Sequence, residues 1–162
     1  MKTLYLLRHS KASSDQSNIS DFDRPLNERG YSDAHQMGKF LYEKKIHLDL
    51  LISSPSIRTM STALIFSLHL KFPVDQIQIR KILYESSVKQ YLQCITEVNE
   101  SNNIMLVGHN ETISEIAQKF SSQRILEMKT SAIIALEFEI LSWKEILTSK
   151  GKLLFHSDPN TI

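Results

Sequence analysis

An α/β fold is predicted by three observations. Short apolar runs alternate with stretches of helical period along the chain. Two of the runs, Thr3-Leu4-Tyr5-Leu6-Leu7 and Asn103-Ile104-Met105-Leu106-Val107, read as buried strands. Each of these runs out into a histidine, in Arg8-His9 and in Gly108-His109-Asn110. The carboxyl edge of an open α/β sheet is where such folds place their ligands.

The elements follow in order. The first strand is expected at about Lys2 to Leu7. The polar loop from Ser10 to Pro25, rich in Ser and Asp, is too long for a plain connector and is expected to carry function. Asn27 reads as a helix N-cap with Glu28 in the first turn, and Tyr31, Ala34, Met37 and Leu41 supply one apolar face. Leu48 to Ser53 reads as a buried strand, ended by Ser54-Pro55, which opens a helix carrying Met60, Ala63, Leu64 and Leu68. Ile77, Ile79 and Ile82 predict a short strand near an edge, and Val88 to Val98 a helix. After the Ile104 strand come a helix from about Glu111 to Phe120 and a strand through Ile133, Ala135, Leu136 and Phe138. Trp143 to Leu147 and Leu153 to Phe155 are expected to form an edge hairpin. Without repeats, low-complexity tracts or linkers, residues 1–162 read as one domain.

Composition excludes several classes. At 162 residues the chain is long enough to bury a core without disulfides or metal. A net charge of +1 gives no reason to expect nucleic acid or a membrane as partner. One cysteine, Cys94, excludes an internal disulfide and predicts a reducing compartment; mid-helix, it reads as a buried, inert thiol. The Thr3 to Leu7 run is too short for a signal peptide and no stretch reaches a membrane span, so a cytoplasmic location is expected. No P-loop, dinucleotide fingerprint, nucleophile elbow or zinc spacing is present, and neither a metal nor a cofactor is expected.

What remains is a set of groups at strand ends. Arg58 follows the strand closed by Ser53-Ser54-Pro55 and falls on the first turn of a helix, where backbone N–H groups favour an anion. Taken singly, Arg8-His9 reads as a solvated strand end and Arg58 as a surface arginine. Together the sequence offers two guanidiniums and two imidazoles at one edge, a set that suits a phosphoryl group better than a metal, since guanidinium forks match phosphate oxygens.

Four blocks carry a resemblance: Leu7-Arg8-His9-Ser10-Lys11-Ala12, Asp23-Arg24-Pro25-Leu26-Asn27-Glu28-Arg29-Gly30, Ser53-Ser54-Pro55 with Arg58 and Thr62, and Val107-Gly108-His109-Asn110. In this order, from Lys2 to about Phe138, the chain resembles the histidine phosphatase superfamily, and within it the small bacterial phosphohistidine phosphatases. The resemblance implies a phosphoglycerate-mutase-like, three-layer α/β/α sandwich around a mostly parallel sheet. It implies that His9 attacks phosphorus and becomes phosphorylated, that Arg8 and Arg58 hold the phosphoryl oxygens, and that His109 adds a donor. Arg24 is placed at the pocket rim or as a tie for the long loop. Ser10 and Asn110 are placed as positioning groups, with helix capping the alternative for Asn110. Glu85, in Leu83-Tyr84-Glu85-Ser86, stands where larger members carry an acidic proton donor, a surface glutamate being the other reading. Imidazole, with a reference pKa of about 6.5, leaves with far less help from an acid than an alkoxide does.

The expected function is therefore a phosphatase with a phosphohistidine intermediate, acting on phosphohistidine in a signalling protein of the histidine phosphotransfer type. A broad small-molecule phosphomonoesterase is the second reading, and a non-catalytic phosphate-binding module the third. Binding alone would need only the arginines, so the histidine argues against the third.

Overall fold

A computed structural model describes residues 1–14 and 18–162 of the chain; Asp15, Gln16 and Ser17, inside the loop expected to carry function, lie outside the described residues. The strands are β1 (Lys2–Arg8), β2 (Leu50–Ser53), β3 (Gln78–Ile79), β4 (Asn103–Gly108), β5 (Ile133–Phe138) and β6 (Lys152–Ser157). The helices are α1 (Glu28–Glu43), α2 (Ile57–Leu70), α3 (Val88–Thr96) and α4 (Thr112–Phe120). The strands form one sheet in the order β3-β2-β4-β1-β5-β6. Its pairings are parallel from β3 to β1, and β5 runs antiparallel to both β1 and β6.

The apolar run of β1 is buried because both faces of the sheet are covered. Leu4 and Leu6 point into one core with Ile113, Ile116, Phe120, Tyr91 and Trp143, supplied by α3, α4 and a 3₁₀ turn. Tyr5 and Leu7 point into the other, with Ala34, Met37, Leu41, Ala63 and Phe66 from α1 and α2. The result is the three-layer α/β/α sandwich expected. The chain leaves β1 toward β2 on one side, and leaves β4 toward β5 on the other. Connections therefore diverge between β1 and β4, the switch point where open α/β sheets bind ligands.

Three expectations are corrected. Of the apolar residues assigned to α2, Ala63 is buried but Met60, Leu64 and Leu68 are exposed; the buried face holds Arg58, Thr59, Thr62, Phe66 and Ser67 beside Ala63. This helix spends its buried face on small and polar groups that pack against α1 and the site. Tyr31 likewise faces solvent, while Ala34, Met37 and Leu41 form the α1 core face. The segment from Trp143 is a 3₁₀ helix (Trp143–Thr148) that buries Trp143 and Ile146, so β6 pairs with β5 and not with it. Asn27 does cap α1, its side chain accepting the Gly30 N–H at 2.8 Å.

Candidate active site

Parallel pairing sets Arg8 beside Gly108 and Ser53 beside Val107, so β1, β4 and β2 end together. His9 N–H donates to Gly108 O at 3.1 Å and Ser54 N–H to Val107 O at 3.1 Å, carrying the ladder one residue past the strands. His9, His109 and Arg58 are thereby delivered to one pocket of about 410 Å³. It is lined by Arg8, His9, Arg24, Arg58, Glu85, His109 and Asn110, all expected from the sequence, and by Asp21 and Tyr84, which were not.

The imidazoles are held in defined states. His9 Nδ1 lies 2.8 Å from Ser10 O. A carbonyl only accepts, so Nδ1 carries the proton and Nε2 keeps its lone pair. His109 Nδ1 lies 3.3 Å from Arg58 Nη2, which only donates; Nε2 therefore donates to Ser54 Oγ at 2.7 Å. The two rings sit 5.4 Å apart between centroids. Burial is the largest influence on both and lowers the pKa of His9 to about 3 and that of His109 to about 4. The guanidiniums of Arg58 and Arg8 add to the effect of burial on His9.

Arg58 is 5% exposed and donates to Asp21 O at 2.6 Å and Asp21 Oδ2 at 3.0 Å. Tyr84 Oη also donates to Asp21 Oδ2, at 2.9 Å, and Arg24 Nε to Oδ1, at 3.1 Å. Although its own desolvation opposes this, these donors hold the Asp21 carboxyl at a pKa of about 2. Arg8 donates from Nη1 to Met128 O at 2.6 Å and Glu127 Oε1 at 3.3 Å. Among the described residues, Nε of Arg8 and of Arg58 are buried without a partner. Two unpartnered guanidinium N–H groups in one pocket are an unmet demand for an acceptor. Arg24 also donates to Ser13 O at 3.2 Å, so it both lines the pocket and ties down the loop.

One expected role, Ser10 as a substrate-binding residue, is corrected. Ser10 is fully buried and does not line the pocket; its Oγ accepts from Ser131 Oγ at 2.7 Å and its N–H donates to Thr62 Oγ1 at 2.9 Å. Thr62 in turn donates to Arg58 O at 2.7 Å, coupling the His9 segment to the helix that carries Arg58. At Gly108 a Cβ would collide with Tyr91 Oη. The space belongs to Tyr91, whose hydroxyl accepts the His109 N–H at 3.1 Å and donates to Leu83 O at 3.3 Å. Tyr91 thus ties the end of β4 to the segment bearing Tyr84 and Glu85. Asn110 donates to Glu127 Oε1 at 3.0 Å, accepts from Ser114 Oγ on α4 and stands on the pocket wall; it does not cap α4, whose N-cap position is Glu111 and whose first backbone N–H groups receive no side-chain cap. Glu85 is exposed, with a left-handed φ of 50°.

Tyr91→Phe is expected to strip the buried His109 amide of its acceptor, at about 1–3 kcal/mol. Thermal unfolding should then move down by roughly 2–8 °C, with kcat lowered and KM little changed. An unchanged kcat would show that His109 needs no such tether.

The depressed histidine pKa values also make stability depend on pH. Unfolded histidines take up protons near pH 6.5, while the folded protein resists until about 3 and 4. Between these limits the unfolded state binds more protons, so stability falls with falling pH by up to about 1.4 kcal/mol per unit for each histidine. Urea unfolding from pH 7 to 4.5 should show this slope, and His9→Asn should reduce it.

One pocket thus gathers two imidazoles, one buried and one half-buried, with two guanidiniums whose Nε–H groups lack partners among the described residues. The model of the histidine phosphatase superfamily (branch 1) matches residues 4–91, and the chain belongs to that superfamily. The fold is similar to two bacterial structures provisionally assigned as the phosphohistidine phosphatase SixA. The one from Agrobacterium tumefaciens is 25% identical with a TM-score of 0.82, covering 98% of each chain. The one from Nakamurella multipartitia is 22% identical with a TM-score of 0.84, covering 98% of this chain and 96% of that one. An uncharacterised chloroplastic protein of Arabidopsis thaliana is 27% identical over 93% of this chain and 72% of its own length. No described helix is long and apolar enough to cross a membrane.

Proposed function

We propose that the protein is a phosphatase that works through a phosphorylated His9 and that its substrate is phosphohistidine on a signalling protein. The observation that carries the reading is the His9 tautomer: Nε2 is unprotonated and stands in a pocket walled by Arg8 and Arg58. Nε2 attacks phosphorus, the bond from phosphorus to the leaving group breaks, and the leaving group departs with the electron pair. Arg8 and Arg58 hold the phosphoryl oxygens as charge spreads over them. An arriving phosphoryl dianion favours the protonated form of His109, which then donates from Nδ1 in place of accepting from Arg58. Water attacks phosphohistidine in the second step and releases inorganic phosphate and neutral His9.

The choice of substrate rests on the leaving group. Asp21, the carboxyl most tightly built into the pocket, is held ionised and donates no proton near neutral pH. A phosphohistidine protonated on its distal ring nitrogen leaves as neutral imidazole and needs none. The resemblance of the fold to proteins provisionally assigned as phosphohistidine phosphatases supports the same reading.

The test compares kcat/KM for a phosphohistidine protein, p-nitrophenyl phosphate and sugar phosphates, with and without EDTA. Phosphohistidine should lead the sugar phosphates by at least about 100-fold, in line with the roughly 2.7 kcal/mol that an alkoxide leaving group adds to the barrier. EDTA should change nothing, because the arginines supply the positive charge that a metal gives elsewhere. A lead for sugar phosphates would favour the phosphomonoesterase reading, with Glu85 as its acid.

A further inference from the structure

Beside the active-site pocket lies a second cavity of about 550 Å³ that shares Arg8, Lys11 and Thr130 with it, so the two form one continuous groove. Its charged lining is Arg8, Lys11, Arg29 and Lys129 against Asp33 and Glu127. Arg29 and Lys129 have side chains 60% and 62% exposed, each beside one carboxylate, Asp33 at 3.5 Å and Asp158 at 3.2 Å. The Lys11 ammonium has no hydrogen-bond or ion-pair partner among the described residues, and the proposed chemistry leaves it unused.

This arrangement is built and not incidental. Lys11 O accepts the Asn27 N–H at 3.0 Å, and a Cβ on Gly30 would lie only 2.0 Å from Lys11 O. The glycine therefore lets the first turn of α1 sit directly on the Lys11 backbone, which brings Arg29 to the wall that Lys11 lines. Leu126, 71% exposed, stands on the same groove and continues onto a neighbouring cavity lined by Ile125. The groove beyond the first pocket offers cations and an apolar contact to whatever is covalently continuous with a phosphorylated imidazole bound there.

Resting on the phosphohistidine reading above, we propose that this groove binds an acidic stretch of the substrate protein next to its phosphohistidine, with Lys11, Arg29 and Lys129 as its cations. Exposed charges of this kind act through summed, salt-sensitive attraction.

The test uses two peptides that carry a hydrolysis-resistant phosphohistidine analogue, one flanked by glutamates and one by serines. Binding is measured on the full chain and on an Arg29→Ser, Lys129→Ser double variant, whose fold is checked by thermal unfolding. The full chain should bind the acidic peptide about tenfold tighter at low salt, as a few exposed ion pairs produce, and the gap should close in the variant and in high salt. Equal affinities in the full chain would overturn the proposal. So would a sugar bisphosphate preferred over its monophosphate without any peptide preference, since the groove would then serve a small molecule's second phosphate. The readout for the substrate reading is turnover of phosphohistidine within a protein: its absence alongside a preserved tenfold preference would refute the substrate reading while supporting the acidic groove.

Discussion

His9→Ala is expected to abolish turnover, lowering kcat by about four orders of magnitude or more, as loss of a covalent nucleophile does. The fold should survive, because the Ser10 N–H to Thr62 contact and the His9 N–H to Gly108 O contact are both made by the backbone. The variant should still bind vanadate weakly through Arg8 and Arg58. Removing the buried ring also removes an imidazole that resists protonation, so the variant should lose less stability in mild acid than the parent does. His109→Ala should differ in kind. Its ring bridges Arg58 and Ser54 and so shapes the pocket; in the proposed reaction it donates to the phosphoryl group without bonding to phosphorus. Turnover should fall by about 100- to 1,000-fold, the usual effect of one lost donor to developing charge, with slow phosphorylation of His9 remaining. Full activity in His9→Ala would show that a group other than His9 attacks phosphorus.

Arg58→Lys carries the second large effect. The substitution keeps the charge and loses the fork. That fork serves Asp21 O, Asp21 Oδ2 and His109 Nδ1 at once, and its buried Nε faces a site without a partner. A lysine ammonium reaches one or two of these positions at most. kcat/KM should therefore drop by about 1,000-fold, the scale of an arginine that stabilises a transferring phosphoryl group. The carboxyl of Asp21 should titrate higher in the variant, because Arg58 is among the groups that hold it down. An active Arg58→Lys protein would reduce Arg58 to a prop for the Asp21 loop.

Much of this site could be read before the structure because it lies at strand ends. Apolar runs over residues 3–7 and 103–107 announce buried strands, and parallel pairing then places whatever follows them side by side. Arg8, His9 and His109 needed no further information. Arg58 needed only the strand before it. The missing parts are those that depend on contacts between distant segments. Asp21 meets Arg58 across 37 positions and Tyr84 across 63, and nothing local in the Ser- and Asp-rich loop distinguishes it from Asp23. Tyr91 lies within α3 like any core tyrosine, and its function exists only because Gly108 leaves room for its hydroxyl. Met60, Leu64 and Leu68 of α2 turn out exposed for a related reason. Apolar periodicity assumes that helices bury apolar residues, and this one buries Arg58, Thr59 and Thr62 because the site lies there. The Trp143 segment misled by composition: large apolar residues near the end of the chain resemble an edge strand, whereas they fill the core as a 3₁₀ turn.

The central claim is that His9 Nε2 forms a bond to phosphorus. It is tested most directly by rapid quenching of the enzyme during turnover with a labelled phosphoryl donor, followed by peptide mapping under alkaline conditions that preserve phosphohistidine. The account predicts label on the peptide containing His9, and none on it in His9→Ala. Label on His109, or an enzyme turning over with no labelled residue, would contradict it.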